Sequence, residues 1–310
     1  MSIVFYCNWA NRQEWIYALK RKFDKEKIYI WPKIKNKDKI EYAILWNMPN
    51  NELNKFNNLK IIFSMGAGID HLFDGYSIPK IPIIRIKDPI MRERMFNYVQ
   101  SQILNYQLKI FKYLDNKKKS YWSEEFDVLD NNELNIGILG MGYLGTFIAK
   151  KLNKNDYKVC AFRQTKKRNK FNFPVYNSKR GLDIFLKKSD VIINLLPNTF
   201  KTQDFIDKNF LSKMKKKSLL INVGRGTTIN ENDLIRHIKK NKNFKAVLDV
   251  LKQEPPGKKH SFWKEKNIFI TPHISCITNI KSAVEQIYKN YRIYKKNNKI
   301  LNKINYKKQY

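Results

Sequence analysis

The sequence predicts an α/β protein made of two doubly wound parallel-sheet domains. Three observations carry that prediction. Short apolar runs alternate with helical patterns along most of the chain, as βαβ units do. A Gly140-x-Gly142-x-x-Gly145 lies mid-chain between an apolar run and a helical pattern, the order in which that spacing has a structural meaning. The length of 310 residues sets a prior of about two domains.

Taken in order, residues 2–7 read as the first strand. Asn11 is expected to cap a helix running to about residue 22, with Glu14 at the capping-box position. Residues 27–31 and 42–46 are the next strands, the second ending at Asn47-Met48-Pro49. A short helix over 52–56 precedes a strand at 60–64. Met65-Gly66-Ala67-Gly68-Ile69-Asp70-His71-Leu72 then makes a Gly-rich strand-to-helix turn, and residues 82–86 supply another strand. From Asp88 the pattern turns helical, because Ile90, Met91, Met95, Tyr98, Val99, Ile103, Tyr106 and Ile110 recur at three- and four-residue spacing. A helix of that length is able to bridge two domains. Lys117 to Ser120 breaks the pattern, and residues 122–132 are an irregular approach to the central glycines.

The second domain continues as βαβ units. Strands are expected at 157–162, 175–176, 190–196, 218–223, 245–250 and 267–271. They end at Pro197-Asn198-Thr199, Gly224-Arg225-Gly226, Asp249-Val250 and Pro272-His273, so several deliver polar or Gly-rich residues at their carboxyl ends. Ligands of open α/β sheets bind there. A final amphipathic helix over about 280–294 leads to the tail Leu301-Asn302-Lys303-Ile304-Asn305.

The central glycines suit a dinucleotide. Gly140 makes the tight turn, Gly142 lets the backbone approach a pyrophosphate, and Gly145 lets helix and strand pack closely. The N–H groups at the start of the helix, at Tyr143 and Leu144, face the phosphates with the positive dipole end. A Gly-rich turn in some other α/β protein is the alternative.

Composition narrows the partners. With 61 Lys+Arg against 27 Asp+Glu, the net charge is +34. Such a field attracts nucleic acid and also steers small anions. The basic runs, such as Lys117 to Lys119, Lys166 to Arg168 and Lys215 to Lys217, are scattered, and no nucleic-acid module accompanies them. Lys, Asn, Ile, Phe and Tyr are abundant together, which points to drift of the whole coding sequence, and nucleic acid is not the expected partner. No window approaches the roughly 18–20 apolar residues of a membrane span. The N-terminus lacks the pattern of a secretory signal. The three cysteines, Cys7, Cys160 and Cys276, suit neither a disulfide framework nor a zinc site. A cytoplasmic location and no metal are therefore expected.

Three residues at strand ends carry the chemistry. Arg225, between two glycines, offers a fork of donors for a carboxylate or a polarised carbonyl. Of the four histidines, His273 alone sits at an expected site mouth. Glu254 precedes Pro255-Pro256, which favours an extended backbone. A carboxylate beside an imidazole favours its protonated form. Reduction of a carbonyl needs a hydride on carbon, a proton on oxygen and a cation to orient the substrate. A surface-turn arginine and a structural histidine are the plainer alternatives.

These motifs together resemble the D-2-hydroxyacid dehydrogenases, and among them the glyoxylate/hydroxypyruvate reductase A type. The matching stretches are Met65 to His71, Glu93-Arg94-Met95, Gly137 to Gly145, Leu195 to Thr199, Asn222 to Gly226, Leu248-Asp249-Val250 with Glu254-Pro255, and Thr271-Pro272-His273-Ile274. The resemblance implies a flavodoxin-like substrate domain over 1–95, completed by 282–310, and a Rossmann cofactor domain over 96–281, with a cleft that closes on the ternary complex. It implies His273 as proton donor, Glu254 as its partner and Arg225 as the substrate-orienting cation. Ala67 and Gly68 N–H groups would hold the substrate carboxylate in a nest. Asp249 would contact the nicotinamide carboxamide, Pro197 would lie along the cofactor, and Trp46 and Met48 would wall the substrate. The expected reaction is NADPH-dependent reduction of small anionic 2-oxoacids, glyoxylate to glycolate and hydroxypyruvate to glycerate, by a homodimer. An NAD enzyme usually carries an acid about twenty residues beyond the glycines. Here the strand ends Phe162-Arg163-Gln164-Thr165-Lys166-Lys167, so NADP(H) is expected over NAD(H), with Arg163 on the 2′-phosphate. Three other readings stay open: a dinucleotide-binding regulator resembling corepressors, a different 2-hydroxyacid dehydrogenase, and a basic nucleic-acid-binding protein that kept the fold.

Overall fold

In the computed structural model of the chain, residues 2–49, 51–72, 79–124, 126–165, 170–301 and 304 are described. Lys166 and Lys167 of the basic stretch, and Asn302, Lys303 and Asn305 of the tail, lie outside the described residues. The chain forms two compact units, Met1–Met91 with Thr278–Tyr310, and Arg92–Ile277.

The first unit opens with strand β1 (Ser2–Tyr6), helix α1 (Arg12–Lys22) and β2 (Lys27–Ile30), then β3 (Tyr42–Leu45), β4 (Ile61–Ser64) and β5 (Ile83–Ile84). The strands pair in the order β2-β1-β3-β4-β5, and every described pair is parallel. Order reverses between β1 and β3, as in flavodoxin-like sheets. Two local expectations are corrected here. Asn11 precedes α1, but its backbone is turned (φ −88°, ψ 26°) and its side chain makes no cap bond. Side-chain capping requires an extended residue at that position; the Asn11 carbonyl accepts the Glu14 N–H at 3.1 Å. The short helix expected over 52–56 is one 3₁₀ turn, Leu53–Lys55.

Helix α2 (Pro89–Gln107) starts with proline, which needs no N–H partner, and the Asp88 carboxylate accepts the Ile90 N–H at 2.9 Å. The unit boundary falls inside α2, between Met91 and Arg92, and the second crossing lies between Ile277 and Thr278. Both stand four residues before the expected boundaries at 95 and 281. Side-chain contacts explain the shift. Arg92 lies over the Phe147 ring at 4.5 Å, Glu93 faces Lys151 at 3.5 Å, and Arg94 donates to the Ile277 carbonyl at 2.7 Å. The long expected helix also breaks: Lys109 is left-handed (φ 56°), and α3 (Ile110–Lys117) restarts beyond it, burying Phe111 against Phe269 at 3.9 Å. The apolar spacing continues across that break, and a lysine occupies a position where glycine is the usual signal.

The second unit continues with β6 (Asn135–Leu139), α4 (Tyr143–Lys154), β7 (Lys158–Phe162), β8 (Val175–Tyr176), α5 (Lys179–Lys188) and β9 (Val191–Asn194). Then come α6 (Lys208–Lys213), β10 (Leu219–Asn222), α7 (Glu231–Lys240), β11 (Lys245–Leu248) and β12 (Ile268–Ile270). The seven strands pair in parallel in the order β12-β11-β10-β9-β6-β7-β8, a Rossmann arrangement whose order reverses between β6 and β9. Successive side chains of a strand point to opposite faces. Ile136, Ile138, Val191, Ile193, Leu219 and Ile221 therefore meet α2, α3 and α4, whereas Leu139, Ile192, Leu220 and Ala246 meet α5, α6 and α7. Helices on both faces explain why these strands are nearly all apolar in sequence.

The last helix, α8 (Ile280–Asn297), returns to the first unit and packs on α1. Asn279 caps it by accepting the Ser282 N–H at 3.0 Å, and Tyr291 meets Phe23 and Tyr42 at 5.3 and 5.1 Å between ring centres. Among the described residues no helix is long and apolar enough to cross a membrane, and no cluster of three or more His, Cys, Asp or Glu could hold a metal ion.

Candidate active site

The three glycines after β6 do different work. Gly140 has φ +107°, a conformation L side chains rarely adopt, and its N–H donates to the Phe162 carbonyl at 3.0 Å. A Cβ on Gly145 would stand 2.0 Å from the Gly140 carbonyl oxygen, so α4 seats against the turn only because residue 145 has no side chain. A Cβ on Gly142 would meet no protein atom within 4 Å. The backbone is thus bare at the start of α4, where Gly142, Tyr143 and Leu144 present helix N-terminal N–H groups. That fits a pyrophosphate.

Neighbouring strand ends complete this edge. Arg163 follows β7, and its N–H donates to the Tyr176 carbonyl at 3.0 Å, fixing the backbone beside the glycine turn. Pro197 follows β9; the Thr202 hydroxyl donates to its carbonyl at 2.6 Å and accepts the Thr199 N–H at 2.9 Å.

Arg225 is placed by a polar network that sequence reasoning missed. Asn194 at the end of β9, Asn222 at the end of β10 and Thr228 are fully buried. The Asn194 amide donates to Asn222 Oδ1 at 2.9 Å and to Thr228 Oγ1 at 2.7 Å, while its oxygen accepts the Leu196 N–H at 3.1 Å. Asn222 Nδ2 and Thr228 Oγ1 both donate to the Arg225 carbonyl, at 3.2 and 2.6 Å. The flanking glycines allow close neighbours: a Cβ on Gly224 would lie 2.6 Å from the Leu196 oxygen, and one on Gly226 would lie 1.9 Å from the Leu251 carbonyl carbon. An asparagine closing an otherwise apolar strand, seen twice, was the available signal.

Glu254 and His273 meet. His273 Nδ1 lies 2.7 Å from Glu254 Oε2, and the other Glu254 oxygen accepts the Leu251 N–H at 2.9 Å. Burial raises the Glu254 carboxyl, but the bonds from His273 and the Leu251 N–H, with the charges of His273 and Arg225, outweigh it. The group is held below the ordinary carboxylate range. His273 and the Arg225 charge therefore both act on Glu254 within this unit.

The turn bearing His273 hangs on Asp249. That residue is 1% exposed, and its Oδ1 accepts the Thr271 hydroxyl at 2.6 Å and the Ile274 N–H at 2.9 Å. Its Oδ2 accepts the Ser275 N–H at 2.9 Å. Shaping this turn is a role sequence reasoning did not assign to Asp249. Tyr98 Oη of α2 lies 2.6 Å from Thr271 Oγ1. Burial, with the nearby Asp249 charge, pushes the Tyr98 phenol up to about 12 despite the Thr271 bond, so it keeps its proton.

In the first unit, Trp46 follows β3 and lies between Trp9 at 5.1 Å and His71 at 4.0 Å. A Cβ on Gly66 would stand 2.3 Å from the Trp46 ring, so that glycine makes room for the indole. Ala67 and Gly68, after β4, stay partly open to solvent. Met48 corrects the expectation that it walls a pocket: it is buried with Leu45, Leu53 and Phe56 in the core. Cys276 is half-buried against the core of its unit, His237 meets Phe244 edge-to-face, and His260 accepts the Phe262 N–H.

Residues 101–275 match the family model described as D-isomer specific 2-hydroxyacid dehydrogenase, NAD binding domain. Among solved structures, the chain is similar to a D-isomer specific 2-hydroxyacid dehydrogenase from Xanthobacter autotrophicus Py2 in complex with NADPH and MES, at 26% identity over 100% of this chain and 99% of that one, TM-score 0.93. A probable 2-hydroxyacid dehydrogenase from Rhizobium etli CFN 42, in complex with NADP, HEPES and L(+)-tartaric acid, is 26% identical over the same shares, TM-score 0.90. An NADPH-dependent glyoxylate/hydroxypyruvate reductase from Sinorhizobium meliloti, in complex with NADP and sulfate, is 25% identical over 100% and 99% of the chains, TM-score 0.92.

The lowered Glu254 carboxyl has a measurable consequence. A group held below its unfolded value of about 4.3 contributes stability above that pH and loses it as pH falls through the folded value. Wild type should melt above Glu254→Gln at neutral pH, and the gap should close on acidification below about pH 4, followed by circular dichroism.

Proposed function

The chain belongs to the D-isomer specific 2-hydroxyacid dehydrogenase family, and from that premise we propose that it is an NADPH-dependent reductase of small 2-oxoacids, converting glyoxylate to glycolate and hydroxypyruvate to glycerate. The observation that carries this reading is the 2.7 Å contact between His273 Nδ1 and Glu254, with the Arg225 charge acting on the same carboxylate.

Gly140, Gly142, Tyr143, Leu144 and Gly145 would hold the pyrophosphate, Pro197 and Asp249 would lie along the cofactor, and Arg163 would take the 2′-phosphate. When bound, NADPH supplies the hydride that the substrate carbonyl carbon accepts. His273 delivers a proton from Nε2 to the carbonyl oxygen, while Glu254 at Nδ1 fixes the ring. Arg225 orients the substrate through paired N–H donors. The Ala67 and Gly68 N–H groups would receive the substrate carboxylate, with Trp46 beside it. Three similar structures hold NADPH or NADP, and one of them is named for glyoxylate and hydroxypyruvate, which supports this choice of cofactor and substrate class. The reading includes a cytoplasmic location, where the thiols of Cys7, Cys160 and Cys276 stay reduced.

A homodimer is part of the proposal. Trp122 and Phe126, on the irregular approach to β6, are 85% and 88% exposed, with Tyr121 and Leu114 also open. Exposed aromatic clusters of this kind mark protein interfaces.

Following NADPH absorbance with glyoxylate, hydroxypyruvate and pyruvate tests the reaction. His273→Ala should lose about a hundredfold or more in kcat/KM while still binding NADPH by fluorescence; full activity in that variant would overturn the assignment. Arg163→Ala should raise KM for NADPH about tenfold or more, the size of one charge-assisted hydrogen bond, without changing KM for NADH. Sedimentation should show a dimer that Trp122→Asp with Phe126→Asp dissociates.

A further inference from the structure

We propose that Tyr98 is a positioning residue for the proton donor, setting the turn that carries His273 through Thr271 and Asp249. The proposal rests on the reductase reading of His273.

The proton order along this chain of groups is unique. Asp249 accepts from two backbone N–H groups, of Ile274 and Ser275, and from the Thr271 hydroxyl at 2.6 Å. A threonine hydroxyl has one proton, so once it donates to Asp249 it can only accept from Tyr98, 2.6 Å away. The phenol thereby fixes the Thr271 rotor with its proton on the carboxylate. Without the phenol oxygen, the Thr271 hydroxyl is held by Asp249 alone, and one of three donors that hold Asp249 is loosened.

His273 sits inside that arrangement. Its N–H faces the carbonyls of Asp249 and Thr271 at 2.9 and 3.0 Å, Thr271 precedes it by two residues, and Ile274 and Ser275 follow it. Its backbone is left-handed (φ 53°), a conformation a histidine keeps only where the surroundings impose it. The side chain is 48% exposed and held at Nδ1 by Glu254, so the direction of Nε2 depends on the backbone beneath it. Tyr98 comes from α2, far away in sequence, and its ring packs against the core formed by Val99, Ile103 and the sheet. The helix that enters this unit thus reaches the reacting edge through one oxygen atom.

Tyr98→Phe removes that oxygen and leaves the ring in the core. Reduction of hydroxypyruvate should lose about tenfold in kcat, the scale of a sub-ångström misplacement of a catalytic group, with the native circular dichroism spectrum retained. Thr271→Val should show a similar loss, and Thr271→Ser, which keeps the hydroxyl, should retain wild-type kcat. In the double variant Tyr98→Phe with Thr271→Val the losses should not multiply, because both remove one pathway. A second readout needs no turnover: with ¹³Cε1-labelled histidine, the His273 resonance, assigned by its loss in His273→Ala, should shift or broaden in Tyr98→Phe while those of His71, His237 and His260 stay. An unmoved His273 resonance, a wild-type kcat in Tyr98→Phe, or multiplying losses in the double variant would overturn the role of Tyr98. A wild type that reduces no 2-oxoacid would sink the reductase reading alone, and the histidine spectrum would still decide whether Tyr98 sets His273.

Discussion

Parallel pairing is the constraint on which the rest of this protein depends. Parallel neighbours are joined only by crossovers, so every strand of a sheet delivers its carboxyl end to the same edge. In the seven-stranded sheet that edge collects Gly140 after β6, Arg163 after β7, Pro197 after β9, Arg225 after β10, Asp249 after β11 and His273 after β12. Residues far apart in sequence, Gly140 and Pro197 among them, come to adjacent strand ends without any long-range recognition beyond strand register. The crossovers cover both faces, strip water from the strands and leave the edge as the place where polar groups remain useful.

Polar groups at that edge are held in two different ways. Asn194, Asn222 and Thr228 are fully buried and satisfy one another, which costs little because each donor finds an acceptor. His273 and Glu254 are left partly exposed and meet through one contact at Nδ1. One edge thus carries both a rigid, buried amide cluster and a freer, partly exposed contact.

The sequence made the large features legible because they rest on patterns with few alternatives. Apolar runs bounded by Gly and Pro located the strands to within a residue or two, and the spacing of Gly140, Gly142 and Gly145 located the turn. Arg225, Glu254 and His273 stood out as polar residues at strand ends, and the structure brings Glu254 and His273 into contact. Features set by tertiary contact were not legible. Lys109 takes a left-handed conformation with no glycine to mark it, and Asn11 fails as a cap because its own backbone is turned. Met48 looked like a pocket wall beside Trp46, yet adjacent positions past a strand end need not share a face, and it packs inward. Tyr98 read only as an apolar position of a helix; its hydroxyl acquires meaning from Thr271, which lies 173 residues away.

The amide knot beneath Arg225 also bears on how this scaffold can change. Asn194 bonds the backbone of the segment leading to Pro197 and, through Asn222 and Thr228, the backbone of Arg225. The two loops are therefore one mechanical part rather than interchangeable modules. A lineage, or an engineer, that reshapes the loop after β9 also resets the arginine after β10. The loop after β9 and the loop after β10 change together here, and grafts from relatives should be cut outside the knot, so that both move as a pair.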